Sequence, residues 1–179
     1  MKWLTGSMLR ERRSVVYAIT CGIWLEVFLY CVLHDQYLIR IAPEHFTVYH
    51  APVWGIENTN LTLLAFAWAF KASIGPGLLL GLAAVFVGRA GTRPKMPVKR
   101  MLKVVAGLIV ITELAGLAAG AYAWRTGEMI FPEIIYPEET RPLITTQTIQ
   151  LVCYLVGALS SAGFLVWVGW WRRRRLAEN

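Results

Sequence analysis

The sequence contains few cysteines and lacks the short motifs that mark several common enzyme sites. Its three cysteines, Cys21, Cys31 and Cys153, lie within apolar runs, and no CxxC pair is present. Neither a disulfide framework nor a zinc knuckle is therefore predicted. No GxSxG, GxxxxGK[ST] or HExxH motif occurs. This excludes the recognisable signatures of a nucleophile elbow, a phosphate-binding P-loop and a zincin metalloprotease.

Charged residues are also scarce, at 16% of the chain, whereas 56% of residues are hydrophobic. Such a balance is too apolar for an ordinary soluble domain. The apolar residues form four runs of about 20 residues or more, the length needed to cross a bilayer. These runs cover about 14–33, 61–88, 104–124 and 151–171. The predicted fold class is an all-α membrane protein, a four-helix antiparallel transmembrane bundle that forms one domain, 1–179.

The basic residues lie in short segments beside the apolar runs. The net charge is +7, the segment 89–103 contains no acid, and Arg172–Arg175 follow the last run. Because Lys and Arg are retained on the cytoplasmic side, both termini and 89–103 are predicted to be cytoplasmic. The segments 34–60 and 125–150 are then external loops. No nucleic-acid-binding module accompanies the basic charge, so no nucleic-acid partner is expected.

Two runs contain GxxxG pairs, which let transmembrane helices approach closely. Gly77 and Gly81 lie in the second run, and Gly116 and Gly120 lie in the third. The second and third spans are therefore predicted to contact each other.

Three charged residues, Glu26, Lys71 and Glu113, lie inside the apolar runs. Each costs a few kcal/mol at mid-membrane unless it is paired, hydrated or neutral. At about 1.5 Å per residue, they lie at similar depths, roughly 10–16 Å from the external ends of their spans. They are predicted to form either a buried structural cluster of alternating charge or a polar cavity for a proton, an ion or a substrate.

The first external loop holds all three histidines of the chain and is the second candidate site. Imidazole and carboxylate ligands suit zinc, iron or copper, although the spacing here matches no tight motif. An alternative is that the first polar residues cap the first span and that Pro43-Glu44 opens a short interfacial helix. The candidate external polar site comprises His34, Asp35, Gln36, Glu44, His45 and His50, and the candidate metal ligands are His34, Glu44, His45 and His50.

The pattern HDQ at 34–36, followed by APEHFT at 42–47, resembles a group of uncharacterised bacterial multi-pass membrane proteins. Those proteins carry a similar H-D-Q…P-E-x-F-T stretch after an N-terminal helix. The resemblance implies a bacterial inner-membrane protein with four helices. It departs at the fourth span, where those proteins have a polar stretch with His or Asn. This chain has TTQT at 145–148 and then Cys153-Tyr154.

Three functions are compatible with these features. The first is a small membrane protein that binds a lipid, an ion, a membrane-protein partner or a second copy through its external loop and polar interior. The second is a membrane-embedded enzyme that uses a divalent metal held by the external histidines and carboxylates. The third is a proton- or ion-coupled carrier that uses Glu26, Lys71 and Glu113. No cofactor other than that divalent metal is indicated.

Overall fold

A computed structural model describes residues 11–50, 53–54, 60–131 and 140–177, and every regular element in these ranges is a helix. Four helices are long: α1 (Arg13–Ile41), α3 (Leu61–Arg89), α4 (Val98–Thr126) and α5 (Arg141–Ala177). The short α2 (Pro43–Thr47) follows α1. Each long helix is long and apolar enough to cross a membrane. The predicted all-helical class with four membrane-length helices is confirmed.

Two helices extend well beyond the apolar runs that predicted them. α1 continues through the polar residues 34–36 to Ile41 and ends just before Pro43, which disfavours helix in the residue preceding it. His34, Asp35 and Gln36 are therefore helical, and their assignment to an external loop was wrong. α5 begins at Arg141, ten residues before the predicted fourth span. Residues 143–149 are all buried against other helices, so their polarity does not mark a loop.

The helices follow one another around the bundle in the order α1, α3, α5, α4. α1 packs mainly on α3, and α4 packs mainly on α5. The two pairs contact each other mainly in two places, where α1 packs on α4 and where α3 packs on α5. α3 and α4 are consecutive among the long helices but lie diagonally across the bundle. Both ends of the described chain lie beside the connection between α3 and α4, because Glu11 and Arg172 bond to that connection.

The GxxxG glycines pack on helices other than those predicted. Gly77 and Gly81 face α1, where a Cβ on Gly81 would lie 2.8 Å from the Cα of Thr20. Gly116 and Gly120 face Ile149 on α5. The prediction that the second and third spans pack on each other through these motifs was wrong. The glycines do let helices pack closely, but the helices they bring together are α1 with α3 and α4 with α5.

The end of the bundle that carries the α3–α4 connection is held by charged hydrogen bonds. Glu11 accepts from Arg89 at 2.9 Å and from Lys95 at 2.7 Å. These two cations lower the pKa of Glu11 to about 2. Arg172 is 4% exposed. Its guanidinium donates to the backbone carbonyls of Val87, Ala90, Arg93 and Pro94.

Candidate functional site

A hydrogen-bonded cluster of polar side chains joins α1 to α4 toward the other end of the bundle. His34 Nδ1 lies 2.9 Å from Glu113 Oε2. The Tyr37 hydroxyl donates to Glu113 Oε1 at 2.7 Å and lies 3.1 Å from His34 Nδ1. The Tyr30 hydroxyl lies 3.5 Å from the same nitrogen. The Glu113 carboxylate therefore has a polar partner at each oxygen.

The α1 side of this cluster is a stripe of three residues. Tyr30, His34 and Tyr37 are spaced four and three residues apart, and such spacing places side chains on one helical face. That face meets α4 at Glu113, one turn from Gly116. Because Gly116 lets α5 pack closely on α4, α5 contributes to the same cluster.

Cys153 is the contribution of α5. Its thiol is buried and donates weakly to the backbone carbonyl of Thr112 at 3.6 Å. One ligand atom each of His34, Glu113 and Cys153 lies within 4.8 Å of the other two. In the part of the chain that the structure describes, this is the one group of three or more such residues with metal-binding geometry.

A cavity of about 380 Å³ lies next to this cluster in the interior of the bundle. Its wall is mostly aliphatic, with Val27, Leu80, Val105 and Leu108 among the contributors. A smaller part of the wall is polar. These polar contributions come from Tyr30, Cys31, Thr112, Cys153, Tyr154, Ser160 and Ser161. The volume falls in the range of small-molecule sites in proteins, which are largely apolar with a few polar groups.

The cavity opens sideways, between α3 and α5. Ala72 and Pro76 on α3 line it and are also exposed on the outer surface of the bundle. Tyr154 and Ala158 on α5 have the same two properties. These helices pack closely near Gly88 and Val168, further toward the basic end. The cavity is therefore accessible from the side of the bundle.

The three charges predicted to form one intramembrane cluster do not meet. Glu113 pairs with His34, and Lys71 is exposed, with its Nζ 4.6 Å from the centre of the Trp68 ring. Glu26 is half-buried, and its Oε2 has no hydrogen-bond partner among the described residues. The arrangement of the helices explains this outcome, because Lys71 on α3 and Glu113 on α4 occupy diagonal positions.

The predicted external polar site divides into separate groups. His34 bonds to α4, Asp35 is buried, and Gln36 donates to the Thr62 carbonyl at 2.9 Å. Glu44 is exposed on α2. The four-ligand metal set of His34, Glu44, His45 and His50 stays a prediction. Of these four residues, only His34 belongs to the group with metal-binding geometry.

His45 on α2 and His50, three residues after the end of α2, form a separate group. The ring centroids of His45 and His50 are 4.5 Å apart, and His50 also packs edge-on against Trp68 on α3. His45 is 1% exposed. Burial, with a smaller contribution from His50, lowers its pKa to about 3. His45 is therefore a neutral core residue at neutral pH. The interpretation of Pro43-Glu44 as the start of a short helix is confirmed by α2.

Sequence reasoning missed Tyr30, Tyr37 and Cys153 as site residues. All three lie in or beside apolar runs, where tyrosine and cysteine are unremarkable. The periodicity of Tyr30, His34 and Tyr37 could have revealed the α1 stripe, had the first helix been extended past residue 33. Nothing local to residue 153 indicates its neighbours, since the thiol meets Thr112 across 41 residues. Residues 132–139 of the predicted second external loop lie outside the described residues.

No family model, curated protein or solved structure matches this chain. The fold and the cluster therefore define the class by themselves: an all-helical protein with four candidate transmembrane helices and a polar site between them. The resemblance to bacterial multi-pass proteins remains a prediction.

Proposed function

We propose that this protein is an integral membrane protein that binds a lipid-like amphiphile inside its helix bundle. The observation that carries the proposal is the cavity beside the His34–Glu113 pair, with its aliphatic wall, its few polar groups and its lateral mouth. An aliphatic chain fits the wall formed by Val27, Leu80 and Leu108. A polar head group fits the end formed by Tyr30, Thr112 and Cys153.

The polar end of the cavity provides the selectivity. An acyl chain gains little by moving from lipid into an apolar cavity, because the bilayer is already apolar. When the ligand leaves the head-group region of the bilayer, its polar head loses hydrogen bonds. A hydrogen bond to the protein replaces one of them, so the polar groups of the cavity decide which amphiphile binds. The Tyr30 and Thr112 hydroxyls offer such bonds. The ligand is therefore an amphiphile whose head group carries a hydroxyl or a carbonyl.

The orientation in the membrane follows from the charges. Arg89, Lys95 and Arg172–Arg175 lie at one end of the bundle, so that end faces the cytoplasm together with both termini. The His34–Glu113 pair then lies on the outer side of the cavity, and the cavity itself lies near the middle of the bundle. The bacterial inner membrane is the location that the resemblance implies. The carrier hypothesis receives less support, because Lys71 stacks on Trp68 and not between two carboxylates.

The test is binding of a fluorescent monoacylglycerol to the full chain in detergent micelles. Ala72→Trp and Ala158→Trp place an indole at the two sides of the mouth. We expect each to weaken binding at least about tenfold, which corresponds to about 1.4 kcal/mol. Ala162→Trp is the matched control, since Ala162 lies one turn from Ala158, is exposed, and does not line the cavity. Equal affinity in the four folded proteins would refute the proposal.

A further inference from the structure

Three side chains that converge beside the cavity come from three helices. His34 is on α1, Glu113 on α4 and Cys153 on α5. Imidazole nitrogen, carboxylate oxygen and thiolate sulfur are the three ligand types that zinc accepts in proteins. His34 and Cys153 are buried, and Glu113 is half-buried. We propose that these three residues form an intramembrane site for a divalent transition metal, with zinc as the best match to the ligand set.

The distances suit such an ion. In a tetrahedral site with bonds of 2.0–2.3 Å, ligand atoms lie about 3.3–3.7 Å apart. Here His34 Nδ1 and Glu113 Oε2 are 2.9 Å apart, and all three ligand atoms lie within 4.8 Å of one another. Changes of about 1 Å in these separations give tetrahedral spacing.

Electroneutrality favours the metal in this location. A divalent cation bound by one carboxylate, one thiolate and one neutral imidazole has no net charge. Uncompensated charges within a membrane are costly, and a neutral complex avoids that cost. Binding releases the thiol proton of Cys153, and His34 turns a lone pair on Nδ1 toward the ion with its remaining proton on Nε2.

A neighbouring hydroxyl holds one of the three ligands in place, as the surroundings of metal sites commonly do. Tyr37 donates to Glu113 Oε1 at 2.7 Å, which leaves Oε2 for the metal. Three protein ligands leave a fourth position for water or another ligand. Cys153 and Tyr30 also line the cavity, so this position adjoins it.

The experiment measures metal in the full chain after purification in detergent, loading with Zn²⁺ and removal of unbound ion. We expect about one zinc per chain, and background levels in His34→Gln, Glu113→Gln and Cys153→Ser. Tyr37→Phe keeps all three ligands and is expected to weaken zinc binding by about 10–100-fold. Loading with Co²⁺ gives a second measurement, because a cobalt–thiolate charge-transfer band appears only if Cys153 is a ligand.

Two control variants distinguish the site from its alternatives. Cys31→Ser removes a thiol that lines the same cavity but does not belong to the three-residue group, so it should keep zinc and the cobalt band. His50→Gln removes a ligand of the alternative external set and should also keep zinc. Loss of zinc in His50→Gln with retention in Cys153→Ser overturns the proposal. Absence of zinc from the folded, loaded wild type overturns it as well. Amphiphile binding is read separately, so the two proposals can fail independently.

Discussion

His34 Nδ1 lies 2.9 Å from Glu113 Oε2, and this contact joins two residues, on α1 and α4, that are 79 positions apart in the chain. It links the α1–α3 pair to the α4–α5 pair at the level of the cavity. Because its side chains are mostly shielded from solvent, at 7% and 23% exposed, we expect removal of either partner to leave the other without its hydrogen bond and to destabilise the bundle.

The coupling between His34 and Glu113 can be measured with a double-mutant cycle. We expect His34→Gln and Glu113→Gln to interact by about 1–3 kcal/mol, since each substitution removes a partner from a low-dielectric site. Unfolding by SDS in mixed micelles with a chelator present gives the four stabilities. Glu26→Gln provides the control, because Glu26 Oε2 has no hydrogen-bond partner in the described ranges. Its effect should add to that of His34→Gln. Additivity in both cycles would show that the contact contributes no stability.

Gly81 tests the close packing of α1 on α3. A Cβ at this position would lie 2.8 Å from the Cα and 2.9 Å from the carbonyl oxygen of Thr20, and backbone atoms yield little. We expect Gly81→Ala to lower the free energy of unfolding by about 1–3 kcal/mol. Gly107→Ala on α4 meets nothing within 4 Å and should be neutral or slightly stabilising. Similar midpoints of unfolding for the two variants would contradict the described α1–α3 contact.

Arg172 tests how the basic end of the bundle is closed. Its guanidinium donates to carbonyls at Val87, Ala90, Arg93 and Pro94, and a lysine ammonium cannot reproduce this geometry. We expect Arg172→Lys to cost about 2–4 kcal/mol and to speed amide hydrogen exchange around residues 89–97. The adjacent Arg173 is exposed, so Arg173→Lys should leave both quantities unchanged. Equal exchange in the two variants would mean that Arg172 does not hold the connection.

His45 predicts a pH dependence with a definite sign. Burial lowers its pKa from 6.5 to about 3 in the folded state. Below about pH 6.5 the unfolded chain binds a proton that the folded chain does not, so stability falls as the pH drops toward 3. We expect the thermal midpoint to decrease from about pH 7 to about pH 5, and this decrease to shrink in His45→Gln. His50→Gln should retain most of it, because burial is the larger cause. If the thermal midpoint of His45→Gln decreases with pH as much as that of the wild type, a group other than His45 causes the pH dependence.

Local features of the sequence predicted the helices well. The lengths and hydrophobicity of the four runs predicted four membrane-length helices, and all four are present. Pro43 and Glu44 predicted α2. The predictions failed where polar residues continued a helix. Residues 34–41 and 141–150 are helical although they include polar residues, and many of their side chains, such as those of 143–149, are buried. The residue types alone do not indicate that burial.

Run length and residue type are local properties, and they were enough to predict apolar helices with His34 and Glu113 within or beside them. Which helices are neighbours became known from the folded bundle. It placed Gly81 against Thr20, separated Lys71 from Glu113, and brought His34, Glu113 and Cys153 together. The physical reason is that helix order in a bundle depends on the fit of side chains across long separations in the chain. Several pairings of these helices satisfy the same apolar runs and glycine motifs.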